Sequence, residues 1–432
     1  MKCRRINARK EDLTAISEEL GLRSKMELGP IIDTVNGILA DVRENRDTAV
    51  LAYTKRFDKA DLTPETMRVT PEEIASAVAG TDPELLGTIR RAAANILAFH
   101  EKQREAGFSM DVAGGSRIGM LVRPLSVAGI YVPGGTAPLP STVLMNVIPA
   151  KAAGVPRVVL CTPPRADGSV APVILAAASI AGADEIYKVG GAQAIAAMAC
   201  GTAVIPRVDK ICGPGNIYVN TAKRLVFGQV DIDMFAGPSE ILIVADSTAN
   251  PEFVAADMLS QAEHDKIASA ILLTTDAAMA DAVEEAIDRR SELLERREIL
   301  EKSVPGYCAV VLVEDIGTAI DFVNELAPEH LELCIAGAEQ WSEKVTHAGA
   351  IFLGNYTPEP LGDYFAGPNH TLPTSGTARF FSPLNTGDFQ KKISILRYSE
   401  ESLKTAAADV VRFAEAEGLT GHAAAVKVRF EE

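Results

Sequence analysis

What this sequence lacks narrows it first. It contains no Gly-x-Gly-x-x-Gly, so the ordinary dinucleotide fingerprint of a Rossmann fold is absent. Its six cysteines, Cys3, Cys161, Cys200, Cys212, Cys308 and Cys334, make no Cys-x-x-Cys pair and no zinc-ribbon spacing. They read as buried thiols of a reducing cytoplasm, and a disulfide framework is not expected. Basic charge is in deficit: 42 Lys and Arg stand against 58 Asp and Glu, a net charge of −16. Nucleic acid and anionic membranes attract basic surfaces, so neither is expected as a partner, while a small cationic substrate is not excluded. The uncharged run 189–206 carries three Gly, a Gln and many Ala. It reads as a strand end, a loop and a small-residue helix, not a membrane span. Met1-Lys2-Cys3-Arg4-Arg5 is charged with no apolar core after it, so no signal peptide is expected. Ser239 is in no Gly-x-Ser-x-Gly elbow, which disfavours nucleophilic serine chemistry.

What is present is a chain of 432 residues, long enough for two or three domains. Hydrophobic residues are 47% and charged residues 23%, an ordinary globular composition. Residues 1–107 read as helical. Ile31, Ile32, Val35, Ile38, Leu39 and Val42 recur at helix period, and Thr70-Pro71-Glu72-Glu73 and Asp82-Pro83-Glu84 are capped starts. Residues 108–128 predict two short strands around Ala113-Gly114-Gly115-Ser116. Strands and helices then alternate, which means parallel pairing with right-handed crossovers. The first series has strands 127–132, 157–162, 185–189 and one ending near Cys212, with helices 141–153, 171–181 and 192–200. The second has strands 240–245, 270–275, 309–313, 331–335 and 350–353. Its helices are one that Asn250 caps and Pro251 begins, then 277–302, 317–326 and 339–347. Residues 354–390 read as a long loop, and loops of that length are often functional. Ser399 opens a last amphipathic helix that Gly418 closes. The expected fold class is α/β: two parallel-sheet, Rossmann-like halves, a helical N-terminal region and a C-terminal helical tail. The expected boundaries are 1–128 (helical, with a hairpin, part packing on the second half), 129–238, 239–380 and 381–432.

Three Gly turns follow strands: Gly134-Gly135, Gly190-Gly191 and Gly213-Pro214-Gly215. In a parallel sheet they share one edge, where open α/β sheets bind ligands, and Gly admits a phosphate close to the backbone. Any one of them is explained as a turn. Three in register lean towards a nucleotide or other anion, with Tyr131, Gln193 and Asn216 beside them to stack or hydrogen-bond. Gln261 and His264, three apart near a helix end, lie on one face and suit a divalent metal or a polar substrate. His100 and His347 read as structural or exposed. Glu329-His330 follows Ala327-Pro328 at a helix-to-strand break, where a carboxylate and an imidazole can divide acid and base work. Asp363 and His370 lie in the long loop, and His422 in the tail after Glu417. Gln261, His264, Asp363 and His422 are nitrogen and oxygen donors suited to zinc. Their spacing is too wide to separate a metal site from an all-structural role.

The motifs taken together resemble the histidinol dehydrogenase family. They are Tyr131-Val132-Pro133-Gly134-Gly135, Gly190-Gly191-Ala192-Gln193-Ala194, Gly213-Pro214-Gly215-Asn216, Ala236-Gly237-Pro238-Ser239-Glu240, Ser260-Gln261-Ala262-Glu263-His264, Ala327-Pro328-Glu329-His330, Gly362-Asp363-Tyr364, Gly367-Pro368-Asn369-His370 and Glu417-Gly418-Leu419-Thr420-Gly421-His422. They run in order over nearly the whole chain. The resemblance implies a homodimeric, cytoplasmic zinc enzyme. It would oxidise L-histidinol to L-histidine through a bound aldehyde with two NAD+, at the end of histidine biosynthesis. By this resemblance Gln261, His264, Asp363 and His422 would hold zinc, and Glu329 and His330 would be the acid–base pair. Ser239, Gln261, His264, His330, Asp363, Glu417 and His422 would contact substrate, with His370 in the same site. Tyr131, Gln193 and Asn216 would contact NAD. The tail would cross to the partner subunit, so that Glu417 and His422 complete the partner's site. The alternative is a related zinc and NAD dehydrogenase of another amino or hydroxy alcohol, against which Glu417 and His422 argue.

Overall fold

A computed structural model describes residues 1–8, 29–134, 138–235 and 237–431. Gly135 of the first Gly turn and Ala236 of the motif before Ser239 lie outside the described residues, as does much of the expected N-terminal helical stretch. The chain forms two compact units: Met1–Gln103 with Leu125–Phe389, and Arg104–Pro124 with Gln390–Glu432.

The first unit holds two parallel sheets. One is five-stranded, in the spatial order Glu185–Lys188, Arg157–Thr162, Val127–Tyr131, Lys210–Cys212, Asp231–Ile232. The other is six-stranded, in the order Arg4–Asn7, Ala309–Leu312, Ser269–Thr274, Glu240–Ala245, His330–Cys334, Ala350–Leu353. Helices cover both faces of each sheet, so successive strand residues enter different cores. Val158 and Leu160 join one apolar cluster, and Val159 and Cys161 join another. In the second sheet Leu272 goes to one side, Ile271 and Leu273 to the other.

The local signals explain most of the helix starts. Thr70 Oγ1 accepts the Glu73 N–H at 3.2 Å, and Glu73 Oε2 accepts the Thr70 N–H at 2.8 Å, a reciprocal cap. Asp82 accepts the Leu85 N–H, and Asn250 accepts the Glu252 N–H, each ahead of a Pro at the first helical position.

The structure departs from the expected pattern in several places. Arg4–Asn7 is an edge strand where helix was expected, because parallel pairing on Ala309–Leu312 covers that sheet edge. The expected helix 277–302 is two helices, Ala277–Ser291 and Arg297–Tyr307. The break lets the second turn Ser303 onto the end of the Pro251–Ala262 helix, where its hydroxyl donates to the Ala262 carbonyl at 2.7 Å. A helix Ile217–Val226 and a short strand Asp231–Ile232 follow Asn216 and were not anticipated. The long loop contains a helix, Glu359–Tyr364, and two 3-10 turns. Beyond that helix the segment crosses from the second sheet's half to the first. Asn369 Nδ2 donates to the Met145 carbonyl at 2.6 Å, and Leu384 and Phe389 join the first half's core.

The second unit is a three-stranded antiparallel sheet, ordered Gln390–Arg397, Ser116–Pro124, Phe108–Val112, with the helices Glu400–Ala416 and Thr420–Lys427. The strand Gln390–Arg397 was not anticipated; its register against Ser116–Pro124 turns a two-stranded hairpin into a sheet. Among the described residues no helix is long and apolar enough to cross a membrane.

Leu272 is fully buried on a central strand of the second sheet. Leu272→Ala is expected to destabilise the first unit by about 2–5 kcal/mol through lost burial and a cavity. Denaturant titration followed by tryptophan fluorescence and far-ultraviolet circular dichroism measures it, and an unchanged midpoint would contradict this packing.

Candidate active site

Glu329 and His330 sit where the strand His330–Cys334 begins, both buried. The neighbouring strand starts at Glu240, and its first peptide serves both residues. The Glu240 N–H donates to Glu329 Oε2 at 3.0 Å, and His330 Nδ1 lies 3.0 Å from the Glu240 carbonyl. A carbonyl only accepts, so Nδ1 carries the proton. When the ring is neutral its lone pair is therefore on Nε2, which has no hydrogen-bond partner among the described residues. Glu359 Oε1 and Asp363 Oδ1 each stand 3.8 Å from Nε2.

Those two carboxylates come from one short helix, Glu359–Tyr364. Four residues apart, they share a face. Pro358 before it offers no side-chain cap, and the first helical N–H, that of Glu359, donates instead to Glu332 Oε1 at 2.9 Å. Glu332 is two residues beyond His330, so both side chains project from the same face of the strand. One strand face thus presents the imidazole and anchors the helix that brings carboxylates to it. Asp257 lies within hydrogen-bonding reach of Glu332. Burial pushes Glu332 well above the usual carboxylate range and Asp257 up to about 6. Two such carboxyls without a cation cannot both ionise at low cost.

Electrostatics at the centre are dominated by burial and by an excess of carboxylate. Burial would lower His330, but the charge of Glu329, the Asp363 carboxylate 3.8 Å away and the charge of Glu359 outweigh it and push the imidazole up to about 10. Burial pushes Glu329 up to about 8, with His330 opposing. Burial, reinforced by the Asp363 charge, does the same for Glu359. At Asp363 burial is outweighed by the His330 ring 3.8 Å away and the charge of His370, which hold it at about 2. His264 and His370 stand close enough to feel both Asp363 and His330. Each is lowered chiefly by desolvation, Asp363 pulling the other way. The Gln261 side chain is buried one turn before His264, and its Oε1 meets no donor among the described residues. His330, Glu359 and Asp363 offer donor atoms all within 4.8 Å of one another. With the unpartnered Gln261 oxygen and His264 at hand, these nitrogen and oxygen donors fit a divalent cation. Asp363 and His370 also line a cavity of about 480 Å³, walled by Phe99, Phe352 and Leu372.

The remaining expected residues fall in three places. Ser239, half-buried, precedes Glu240 at the same sheet edge, its carbonyl accepting the Ser269 N–H at 3.2 Å. Glu417 and His422 belong to the second unit, where both are exposed. Tyr131, Gln193 and Asn216 stand at the C-terminal edge of the five-stranded sheet. There the Tyr131 hydroxyl accepts the Gly191 N–H at 3.1 Å, and burial pushes its ionisation up to about 12. Gly134 and Gly190 both pack on Pro163, which brings their turns together. Asn216 caps the Ile217–Val226 helix by accepting two backbone N–H groups. The Gln193 amide is fully buried with neither polar atom partnered among the described residues, an arrangement that a polar ligand would satisfy. His100 is structural: buried, 2.6 Å from Gln103 Oε1 through Nδ1 and 3.3 Å from Asn369 Nδ2 through Nε2.

Glu359 and Glu332 are the site residues that sequence reasoning passed over. The signal for Glu359 was Pro358, a helix-start marker, four residues before Asp363. Glu332 gave none, because an acidic residue inside an apolar strand has meaning only once its partner is known.

Comparison with known proteins agrees with this geometry. Residues 22–430 match the family model described as histidinol dehydrogenase. The chain is 50% identical over 414 residues to the histidinol dehydrogenase of Clostridium acetobutylicum, covering 96% of each chain. It is 51% identical over 415 residues to that of Bacillus subtilis, covering 96% of this chain and 97% of the relative. Its structure matches the crystal structure of histidinol dehydrogenase from Elizabethkingia anophelis with a TM-score of 0.93 at 41% identity, covering 99% of this chain and 98% of that one. A match of this extent, in sequence and in structure, places the chain in the histidinol dehydrogenase family.

Proposed function

We propose that this protein oxidises L-histidinol to L-histidine in two NAD+-dependent steps through bound L-histidinaldehyde, with zinc, as a cytoplasmic homodimer. The observation that carries this reading is the carboxylate-rich, buried centre around His330. Glu329, Glu359 and Asp363 surround one imidazole, so the site is short of positive charge, and both a metal ion and the ammonium of histidinol would supply it. Gln261, His264 and Asp363 would hold zinc together with His422 from a second copy. Zinc, when bound, supplies a template that orients the substrate's nitrogens and polarises its oxygen. NAD+, when bound beside Tyr131, Gln193 and Asn216, accepts the hydride at each oxidation.

The chain's own residues divide the proton work. His330 acts as base in its neutral form, through the Nε2 lone pair that faces the site, and takes the alcohol proton as hydride leaves. Against burial, the surrounding carboxylates hold the imidazolium up to about 10, and the positive charge of metal and substrate would offset them and release that proton. Glu329, held at the Glu240 N–H, activates the water that hydrates the aldehyde, and His330 deprotonates the hydrate for the second oxidation. Ser239, His370 and Glu417 hold substrate. Burial keeps the reactive aldehyde away from bulk water between steps. The dimer is supported by the second unit. Phe108, Met110 and Leu396 are exposed, and their register against Ile118 and Met120 puts them on one face of its sheet. An apolar face of that kind marks an interaction surface. Glu417 and His422, exposed on the same unit, would then be free to enter a partner's site.

Full-length protein with zinc is expected to form about two NADH per histidinol consumed, one for each hydride transferred. A chelator should abolish turnover; one NADH with free aldehyde accumulating would refute the four-electron reading. His330→Asn should reduce kcat by about 10²–10⁴-fold while zinc content stays that of the parent protein. Glu329 must be ionised to accept a proton from water, and burial raises its carboxyl to about 8. His330 must likewise lose its proton to act as base, and carboxylate charge, outweighing burial, raises it too. The rate should therefore climb as pH rises through neutrality, and Glu329→Gln should lose the Glu329 part of that rise while keeping the part that His330 sets. Glu332→Ala removes the anchor of the Glu359–Tyr364 helix and should lower kcat about tenfold or more, whereas Glu332→Gln keeps an acceptor for the Glu359 N–H and should lose much less. Equal losses in the two variants, measured in steady state, would contradict the anchoring role.

A further inference from the structure

The Gly213-Pro214-Gly215-Asn216 turn is held by two charged side chains that the proposed chemistry does not use. Gly213 sits at φ +117°, a conformation that L side chains rarely adopt, and a Cβ there would collide with the Tyr131 carbonyl oxygen. Both ends of this residue are tied. Its N–H donates to Asp233 Oδ2 at 2.7 Å, and its carbonyl accepts from Lys223 Nζ at 2.9 Å. Lys223 and Asp233 are also ion-paired with each other, and each side chain is only 1% exposed. Asp233 Oδ1 accepts the Met234 N–H at 2.7 Å as well. Lys223 lies in the Ile217–Val226 helix that Asn216 caps, and Asp233 directly follows the edge strand Asp231–Ile232.

The pair therefore joins helix, edge strand and turn at the residue that packs against Tyr131. A buried ion pair is weak evidence of stabilisation, since well-packed apolar residues of similar volume commonly serve a fold as well or better. What an apolar pair cannot do is grip both the N–H and the carbonyl of Gly213. The helix has its own cap in Asn216, and the sheet has its own ladder through the Lys210–Cys212 and Asp231–Ile232 strands. The peptide so fixed stands beside Tyr131, whose hydroxyl binds Gly191, two residues from the unpartnered Gln193 amide.

We infer that Lys223 and Asp233 are positioning residues for the dinucleotide: by holding the Gly213 peptide they set the turn and Asn216 against Tyr131 and Gln193 in the geometry that receives NAD+. This rests on the reading of that sheet edge as the NAD+ site. Neither residue touches the ligand; both act through the turn.

The test compares full-length, zinc-loaded parent protein with the double variant Lys223→Met/Asp233→Leu, which removes both charges together and leaves none unpaired. Calorimetric titration with NAD+ and, separately, with histidinol gives each affinity, and steady-state kinetics gives kcat and KM. The expected result is NAD+ binding weaker by about 10–100-fold, the scale on which small misplacements act. KM for NAD+ should rise more than kcat falls, with histidinol affinity and zinc content unchanged. NAD+ affinity equal to that of the parent in a folded double variant overturns the inference, as does an equal loss of NAD+ and histidinol binding, which marks a general structural role. Should the double variant not fold, Lys223→Met, which removes the donor to the Gly213 carbonyl, carries the same reading: weaker NAD+ binding alone supports it, and unchanged NAD+ binding overturns it. Parent protein that binds histidinol but no NAD+ overturns the dinucleotide reading itself, and the inference with it.

Discussion

The peptide of Glu240 is the constraint on which the candidate site depends. Parallel pairing sets Ile241 beside His330, so Glu240 stands level with Glu329. Its N–H then binds the Glu329 carboxylate while its carbonyl takes the His330 Nδ1 proton. Backbone groups carry neither rotamer freedom nor titration. The ring orientation and tautomer of His330 are therefore set by the strand register, and its Nε2 is left for other work. A slip of one residue would turn both side chains to the opposite face. The Glu240 side chain extends the same hub, with Oε1 accepting the Ser375 N–H at 2.9 Å and so tying the end of the long connecting segment to this strand.

Around that fixed imidazole the protein concentrates negative charge at some expense in stability. Glu329, Glu359 and Asp363 are buried or half-buried within reach of His330, and burial holds two of the three carboxyls up near 8. Buried carboxylates without cations are unfavourable, so such a cluster marks a place where positive charge is brought in from outside. The other sheet edge is arranged differently. There one buried cation and one buried anion neutralise each other at Gly213, and the unsatisfied group is the neutral amide of Gln193. A site short of positive charge and a site short of hydrogen-bond partners suit different ligands, a cationic one and a polar one.

The sequence pattern made much of the fold legible because most of its signals are local. Alternating short apolar runs and capped helices identify parallel α/β halves, and Thr70, Asp82 and Asn250 cap where their neighbours predict. Two of the errors share one cause. Arg4–Asn7 and Gln390–Arg397 are strands only because a distant strand pairs with them, at Ala309–Leu312 and at Ser116–Pro124. The Glu359–Tyr364 helix is a single turn and a half in a Gly- and Pro-rich stretch, too short for a periodic pattern. Its N-terminus is capped from another element by Glu332, where local sequence offers nothing.

What the sequence by itself determined is the family, the α/β class and the cast of polar residues, from Gln261 and His264 to Glu329, His330 and Asp363. These rest on motifs and periods that neighbouring residues define. Only the tertiary structure decided which of them meet. It placed the Glu359 and Asp363 carboxylates 3.8 Å from His330 Nε2, set the tautomer of that ring through Glu240, and closed the Lys223–Asp233 pair on Gly213. Each of those contacts joins residues brought together by sheet register or by a helix laid across a strand. Charge interactions and hydrogen bonds act over ångströms in space, and separation along the chain does not measure that distance.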